Sequence, residues 1–459
     1  MDNKILLYIN IMSLIMNMWL IFISYKRNKL INLIYHFVFL FLVTGQSLNI
    51  SINLQEDREV YYHSNRITGE GHLISSFFIF YCMVIFYLFE YLYKKRRPSK
   101  NIFNSSFKKN KQVNYSIPYY VVNWIVFFLM SFSMVALIGF NEIIDEGRPG
   151  GSGSTFLLIV LSLCIYPFII KIINNSSINY KETTLFIGTF FITVLFSRMI
   201  AIFHLMMVVV AGYYSVYNKY RTPLSKYKKY FITVPIILVI FFFGFGTYRN
   251  LKNFNDASGL SFNELLGYIK EHPENTLFSI DVNYKLGIEG ISGLSGLMTQ
   301  FCENPFIKID GGLSIFSAFI TLIPSFFRGV LLPLQEFLLS LYWYKGSIVS
   351  SGIEASYVHF SFLGLLGYPV FLSWYFNSLN KKVSSKIYSG INLSSLTSYV
   401  LIIYGLLIIR GSSSACIFFI IANLVIAKFS TLIYIVFNNK SIPKNKSDSV
   451  INSNLHLKD

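Results

Sequence analysis

Three arginines stand where apolar runs end or turn, and they are the residues in this chain best suited to chemistry: Arg198, Arg249 and Arg410. A guanidinium stays charged and offers a planar fork of donors matched to phosphate or carboxylate oxygens. At the end of a hydrophobic run it lies at the depth of a lipid phosphate, so a pyrophosphate on a lipid carrier suits the set. One arginine so placed is often only a helix anchor in the headgroups. Three of them favour a bound anion. Arg328 is a weaker member, since an interfacial helix often carries one basic residue. Asp281, Glu289, Glu354 and His359 can each supply a general base, although a lone histidine at the start of an apolar run is more often structural. Tyr248, beside Arg249, offers a ring to a sugar. Glu56-Asp57 reads better as a solvated turn beside Arg58 than as a metal or base pair, and Arg66 and Arg148 read as loop charges. His36 and His204 lie inside apolar runs with no partner visible in the sequence. No HExxH, P-loop, paired CxxC or Gly-rich dinucleotide turn occurs, so neither a cofactor nor a metal is expected.

The elements that hold these residues follow from composition. Of 459 residues, 54% are hydrophobic, 18% aromatic and only 13% charged, about half the charged fraction of a soluble domain. That pattern predicts an all-α polytopic membrane protein. Runs of about 20 apolar residues suffice to span a bilayer, and eleven are expected, near 5–25, 30–49, 72–93, 118–140, 155–173, 183–196, 199–217, 231–247, 355–377, 393–409 and 415–437. The first lacks a small-residue cleavage site and reads as a span rather than a signal peptide. The run 183–217 breaks at Ser197-Arg198, and 393–437 breaks at Arg410-Gly411-Ser412-Ser413-Ser414, so each is a tight hairpin. The chain then divides into helices 1–8 (1–247), one large loop (248–354), helices 9–11 (355–437) and a tail (438–459). The four cysteines give no disulfide framework.

Charge orients the bundle. With the segment after the first span inside, the inner side carries 25 Lys and Arg against 4 acids, and the outer side 13 against 18. The positive-inside rule then puts the amino terminus outside and the carboxyl terminus inside. The run Lys94-Lys95-Arg96-Arg97 is explained by this rule and by anionic lipid, so the net charge of +17 implies no nucleic acid. Only six of 28 Lys face outward, against seven of 11 Arg. That asymmetry again points to a use for guanidinium on the outer side. Within the large loop, Ser261-Phe262-Asn263-Glu264 has a capping-box pattern and predicts a short helix through Ile269. Leu313–Phe327 and Val330–Tyr344 are too short to span easily and suit interfacial helices, with a full membrane hairpin as the alternative.

The layout resembles the Wzy-type O-antigen and enterobacterial-common-antigen polymerases. The resembling pieces are Leu195-Phe196-Ser197-Arg198, Phe245-Gly246-Thr247-Tyr248-Arg249, Leu322-Ile323-Pro324-Ser325-Phe326-Phe327-Arg328-Gly329, Gly352-Ile353-Glu354-Ala355 and Ile409-Arg410-Gly411-Ser412-Ser413-Ser414, in that order over most of 183–437. The turn at Ser197-Arg198 departs from the more glycine-rich turn expected there. The resemblance implies a GT-C-like glycosyltransferase of the bacterial inner membrane. It would polymerise undecaprenyl-pyrophosphate-linked repeat units on the periplasmic face, with the bilayer and a chain-length regulator protein as partners. Arg198, Arg249 and Arg410 would then stabilise the leaving pyrophosphate, Arg328 would line the groove, and one of Asp281, Glu289, Glu354 or His359 would activate the acceptor hydroxyl. A flippase for the same lipid-linked unit and an O-antigen-ligase-like transferase are the alternatives.

Overall fold

The computed structural model describes residues 3–57, 59–62, 65–94, 113–138, 152–220, 224–227, 292–303, 319–320, 323, 351–384, 394–410 and 413–438. Apolar runs fold into helices because hydrocarbon offers the backbone no hydrogen-bond partner, leaving the helix to satisfy its own amides. α1 is Asn3–Lys26. α2 (Leu30–Phe39) continues through a π-turn, Leu40–Thr44, into α3 (Gly45–Gln55). A two-residue hairpin, β1 (Tyr61–Tyr62) against β2 (Asn65–Arg66), leads to α4 (Gly69–Lys94). Next come α5 (Ile117–Ile138), α6 (Ser152–Leu161) and α7 (Tyr166–Ile173), the last two joined by a 3-10 turn at Ser162–Cys164. α8 (Tyr180–Phe196) and α9 (Arg198–Tyr220) follow. α10 (Ser292–Glu303) is the one helix described within the large loop. α11 (Gly352–Ser384), α12 (Ser394–Tyr404), α13 (Leu407–Arg410) and α14 (Ser413–Asn438) complete the bundle.

Ten of the eleven expected runs fall on these helices, while 231–247 lies outside the described residues. Among the described residues, seven helices are long and apolar enough to cross a membrane. The chain is an α-helical membrane protein. The run 155–173 is not one straight span, because the 3-10 turn divides it, and α8 is only 17 residues long. The helix over the run 30–49 also extends further than that run: α3 reaches Gln55, and Asp57 then turns the chain at φ 55. The first hairpin turn holds, with Ser197 as the single non-helical residue between α8 and α9, while 411–412 of the second lie outside the described residues.

Packing defines two ends of the bundle. At one, Glu90 of α4 is 2% exposed and accepts from Arg27 at 3.1 Å and Lys29 at 2.7 Å. Asn32 donates to it as well, and both Asn32 and Lys29 reach Asn377 of α11. A buried carboxylate needs such partners, since leaving it unpaired costs several kcal/mol. Burial pushes the Lys29 ammonium below its usual range, against the opposing pull of Glu90. Nearby, Tyr214 of α9 donates to Asn380 of α11, and Ser215 donates to the Ile172 carbonyl at 2.7 Å. Lys171 and Glu182 form a second buried pair at 2.5 Å, with Tyr120 also donating to Glu182. Aromatic contacts carry the middle: Tyr35 stacks on Phe376 at 4.9 Å and meets Phe86 edge-on. Large apolar residues on α1, among them Tyr8, Met12, Ile15 and Trp19, recur at helical spacing and face outward. In hydrocarbon that face costs nothing.

Candidate functional site

At the other end, the start of α11 is built by a reciprocal cap. Ser351 N donates to Glu354 Oε2 at 3.2 Å, and Glu354 N donates to Ser351 Oγ at 3.3 Å. This is the Ser-x-x-Glu box, which satisfies two amides that a helix start leaves open. Glu354 is fully buried, and its second oxygen, Oε1, has no hydrogen-bond partner among the described residues. An acceptor left open in a dry interior costs about 1–3 kcal/mol, so it invites a ligand group. Its neighbour is Gly293 of α10, where any Cβ would collide with the Glu354 carboxyl.

Gly352 makes a second close approach. A Cβ there would collide with the Ile408 carbonyl, and Tyr368 donates to that same carbonyl at 3.0 Å. The start of α11 therefore lies backbone-to-backbone against α13, two residues before Arg410. Five residues into α9, Phe203 meets Tyr404 of α12 edge-on at 5.1 Å. The Arg198 turn is thus at the same end as Arg410 and Glu354, since α9 runs from there toward Tyr214 and the Asn380 contact. Three of the expected site positions share one end of the bundle.

His359 is buried on the same half-helix, its ring near Phe360 at 6.2 Å. Five helical residues separate it from Glu354, about 140° around the axis, so the two do not share a face. Two residues later the helix breaks at Ser361, with φ 54 and ψ −142. Tyr248, Arg249, Asp281, Glu289 and Arg328 lie outside the described residues, as do the expected helix through Ile269 and, apart from 319–320 and 323, the stretch 313–344. Glu56 and Asp57 sit in an exposed turn, and Arg66 pairs on the surface with Glu59 at 3.5 Å. Both agree with solvated charges.

Sequence reasoning passed over the residue that organises the layer beside Glu354, namely His72 of α4. Its Nδ1 lies 2.8 Å from Ser295 Oγ of α10, and its Nε2 lies 3.0 Å from the Ser47 carbonyl and 3.1 Å from Ser51 Oγ. A carbonyl only accepts, so Nε2 carries the proton and Nδ1 accepts from the Ser295 hydroxyl. Asn10 extends the layer, donating to Ser51 at 2.6 Å and to Ser76 at 2.9 Å. The available signal was weak: small polar residues at helical spacing, Gly71, His72, Ser75 and Ser76, which mark close helix packing in membranes. His204 is bound through Nε2 to Ser162 at 2.8 Å, at the 3-10 turn. The ring nitrogens of His36 have no hydrogen-bond partner among the described residues. No family model, no curated protein and no solved structure matches the chain.

Proposed function

We propose that this protein is a membrane glycosyltransferase that polymerises undecaprenyl-pyrophosphate-linked oligosaccharide repeat units on the periplasmic face of the bacterial inner membrane. The observation that carries the reading is a buried carboxyl with an open oxygen, Glu354, at the end of the bundle that also holds the Arg198 and Arg410 positions. In this scheme Glu354 takes the proton of the acceptor hydroxyl as that oxygen attacks the anomeric carbon of the donor. The glycosyl–pyrophosphate bond breaks, and its electrons leave on the pyrophosphate. Arg198 and Arg410, joined by Arg249, stabilise that charge, an electrostatic contribution that needs no metal or nucleotide. Arg328 and Tyr248 belong to the glycan groove. Asp281, Glu289 and His359 remain the other base candidates. The test is to incubate purified protein with a defined undecaprenyl pyrophosphate repeat unit and resolve the product by size. A ladder of multiples supports the reading, and an unextended unit refutes it.

A second reading, a flippase for the same lipid-linked unit, is favoured by one observation. Helices are interrupted at the π-turn Leu40–Thr44, at Ser162–Cys164, at Ser361 and between Tyr404 and Leu407, and broken helices are a feature of transporters. Vesicles separate the two: a flippase moves labelled lipid between leaflets without lengthening the glycan.

A further inference from the structure

We propose that His72 is a positioning residue, latching the loop helix α10 into the bundle so that Gly293 holds the Glu354 carboxyl in place. Three contacts along α10 lead to this. Gly293, at its start, abuts Glu354. Ser295 donates to His72 Nδ1 at 2.8 Å. Thr299, one turn on, accepts from the Thr68 amide at 3.0 Å through Oγ1. Residues 293–299 of α10 are all buried, so this piece of the large loop is a wall of the bundle and not a solvated cap.

The latch is specific because His72 is itself fixed. It is 0% exposed, and its Nε2 proton is directed to Ser47, which leaves Nδ1 as the acceptor for Ser295. A hydroxyl at 295 and an imidazole at 72 thereby set both the depth and the rotation of α10. Gly293 lies two residues from Ser295, so a small rotation of α10 is transmitted directly to the surface on which the carboxyl rests. The catalytic consequence rests on the reading of Glu354 as the hydroxyl-activating group; the latch itself does not.

The experiment is hydrogen–deuterium exchange on the full-length protein in lipid vesicles, reading peptides that cover 292–303 and 351–357. His72→Ala and Ser295→Ala should each raise exchange in both peptides about tenfold, the scale of one lost interhelical hydrogen bond. Ser295→Thr, which keeps the hydroxyl, should restore protection to within about twofold. Ser76→Ala loosens the same polar layer on its other side and should leave both peptides unchanged. Unchanged exchange in the His72 and Ser295 variants overturns the latch. So does an equal rise in Ser76→Ala, which would mean general loosening, or a failure of Ser295→Thr to rescue. On the defined repeat unit, His72→Ala should lower turnover about tenfold with KM within about twofold, and Ser295→Thr should recover it. If exchange responds as described while no variant or parent extends the unit, the polymerase reading fails and the latch stands. If Glu354→Gln abolishes extension while exchange in His72→Ala is unchanged, the latch alone fails.

Discussion

Glu354 carries two separable roles, a cap for α11 and an open acceptor beside Gly293 of α10. Replacement by Gln keeps an oxygen for the Ser351 amide, whereas Ala removes it. Losing the cap costs about 1 kcal/mol, but Ala also removes an open acceptor that costs about 1–3 kcal/mol, so Glu354→Ala should not lower the thermal midpoint in detergent, and Glu354→Gln should change stability by less than about 0.5 kcal/mol. Both should lower glycan extension by about 10²–10⁴-fold if the carboxylate is the base. Normal extension by Glu354→Gln would leave the residue as a cap alone. The Lys171–Glu182 pair offers a test without activity. Both side chains are at most 1% exposed, so Lys171→Met strands a buried carboxylate and should cost about 3–5 kcal/mol. Adding Glu182→Gln removes the charge while leaving an acceptor for Tyr120, and should recover most of that loss in a double-mutant cycle. Glu354 was legible as a candidate from its place before an apolar run. Its cap was written in the sequence too, as Ser351-Gly352-Ile353-Glu354, the same signature that the sequence offers at Ser261–Glu264. The open Oε1 was not legible, because it depends on Gly293, 61 positions away.

Helix existence was legible because a bilayer-length apolar run has few alternatives to a helix, and so was the break at Ser197; the break inside α11 was not, because no residue type marks it. Pro369 lies inside α11, yet the non-helical residue is Ser361. Its φ of 54 with ψ of −142 belongs to a region that is nearly glycine's own and costs an L-residue about 1–3 kcal/mol. Ser361→Gly should therefore raise the thermal midpoint, by the equivalent of about 1 kcal/mol, and Ser361→Val should lower it by about 2 kcal/mol or more. Equal stability of all three would mean that the break is absent in the membrane. α10 was missed for a different reason. Leu294, Leu297, Met298 and Phe301 do carry the i, i+3, i+4, i+7 spacing, but a 12-residue helix in a loop read as outward-facing gives no hint that it is buried in the bundle. The fold therefore places part of the large loop among the membrane helices.

For the whole molecule, the question is which end faces out. Two of the four acids on the basic side, Glu90 and Glu182, are consumed in buried ion pairs, so the solvent-facing charge there is more one-sided than the composition shows. The proposed orientation, which follows the positive-inside rule, has the Glu90 end in the cytoplasm and the Glu354 end outside. The chain carries its own probe for this. Cys302, near the end of α10, is exposed, whereas Cys82 and Cys164 are buried and Cys416 is half-buried. A membrane-impermeant maleimide added to intact spheroplasts should label Cys302, and Cys302→Ser should abolish that signal. Partial desolvation, reinforced by Glu70 and Glu303, pushes the Cys302 thiol above its usual range. Only the thiolate reacts, so labelling should be slow at neutral pH and rise about tenfold per unit as the pH is raised toward that value. Labelling of inverted vesicles alone would put the Glu354 end in the cytoplasm. The guanidinium excess would then face the compartment of the nucleotide sugars, and a periplasmic transfer from a lipid pyrophosphate would lose its physical basis.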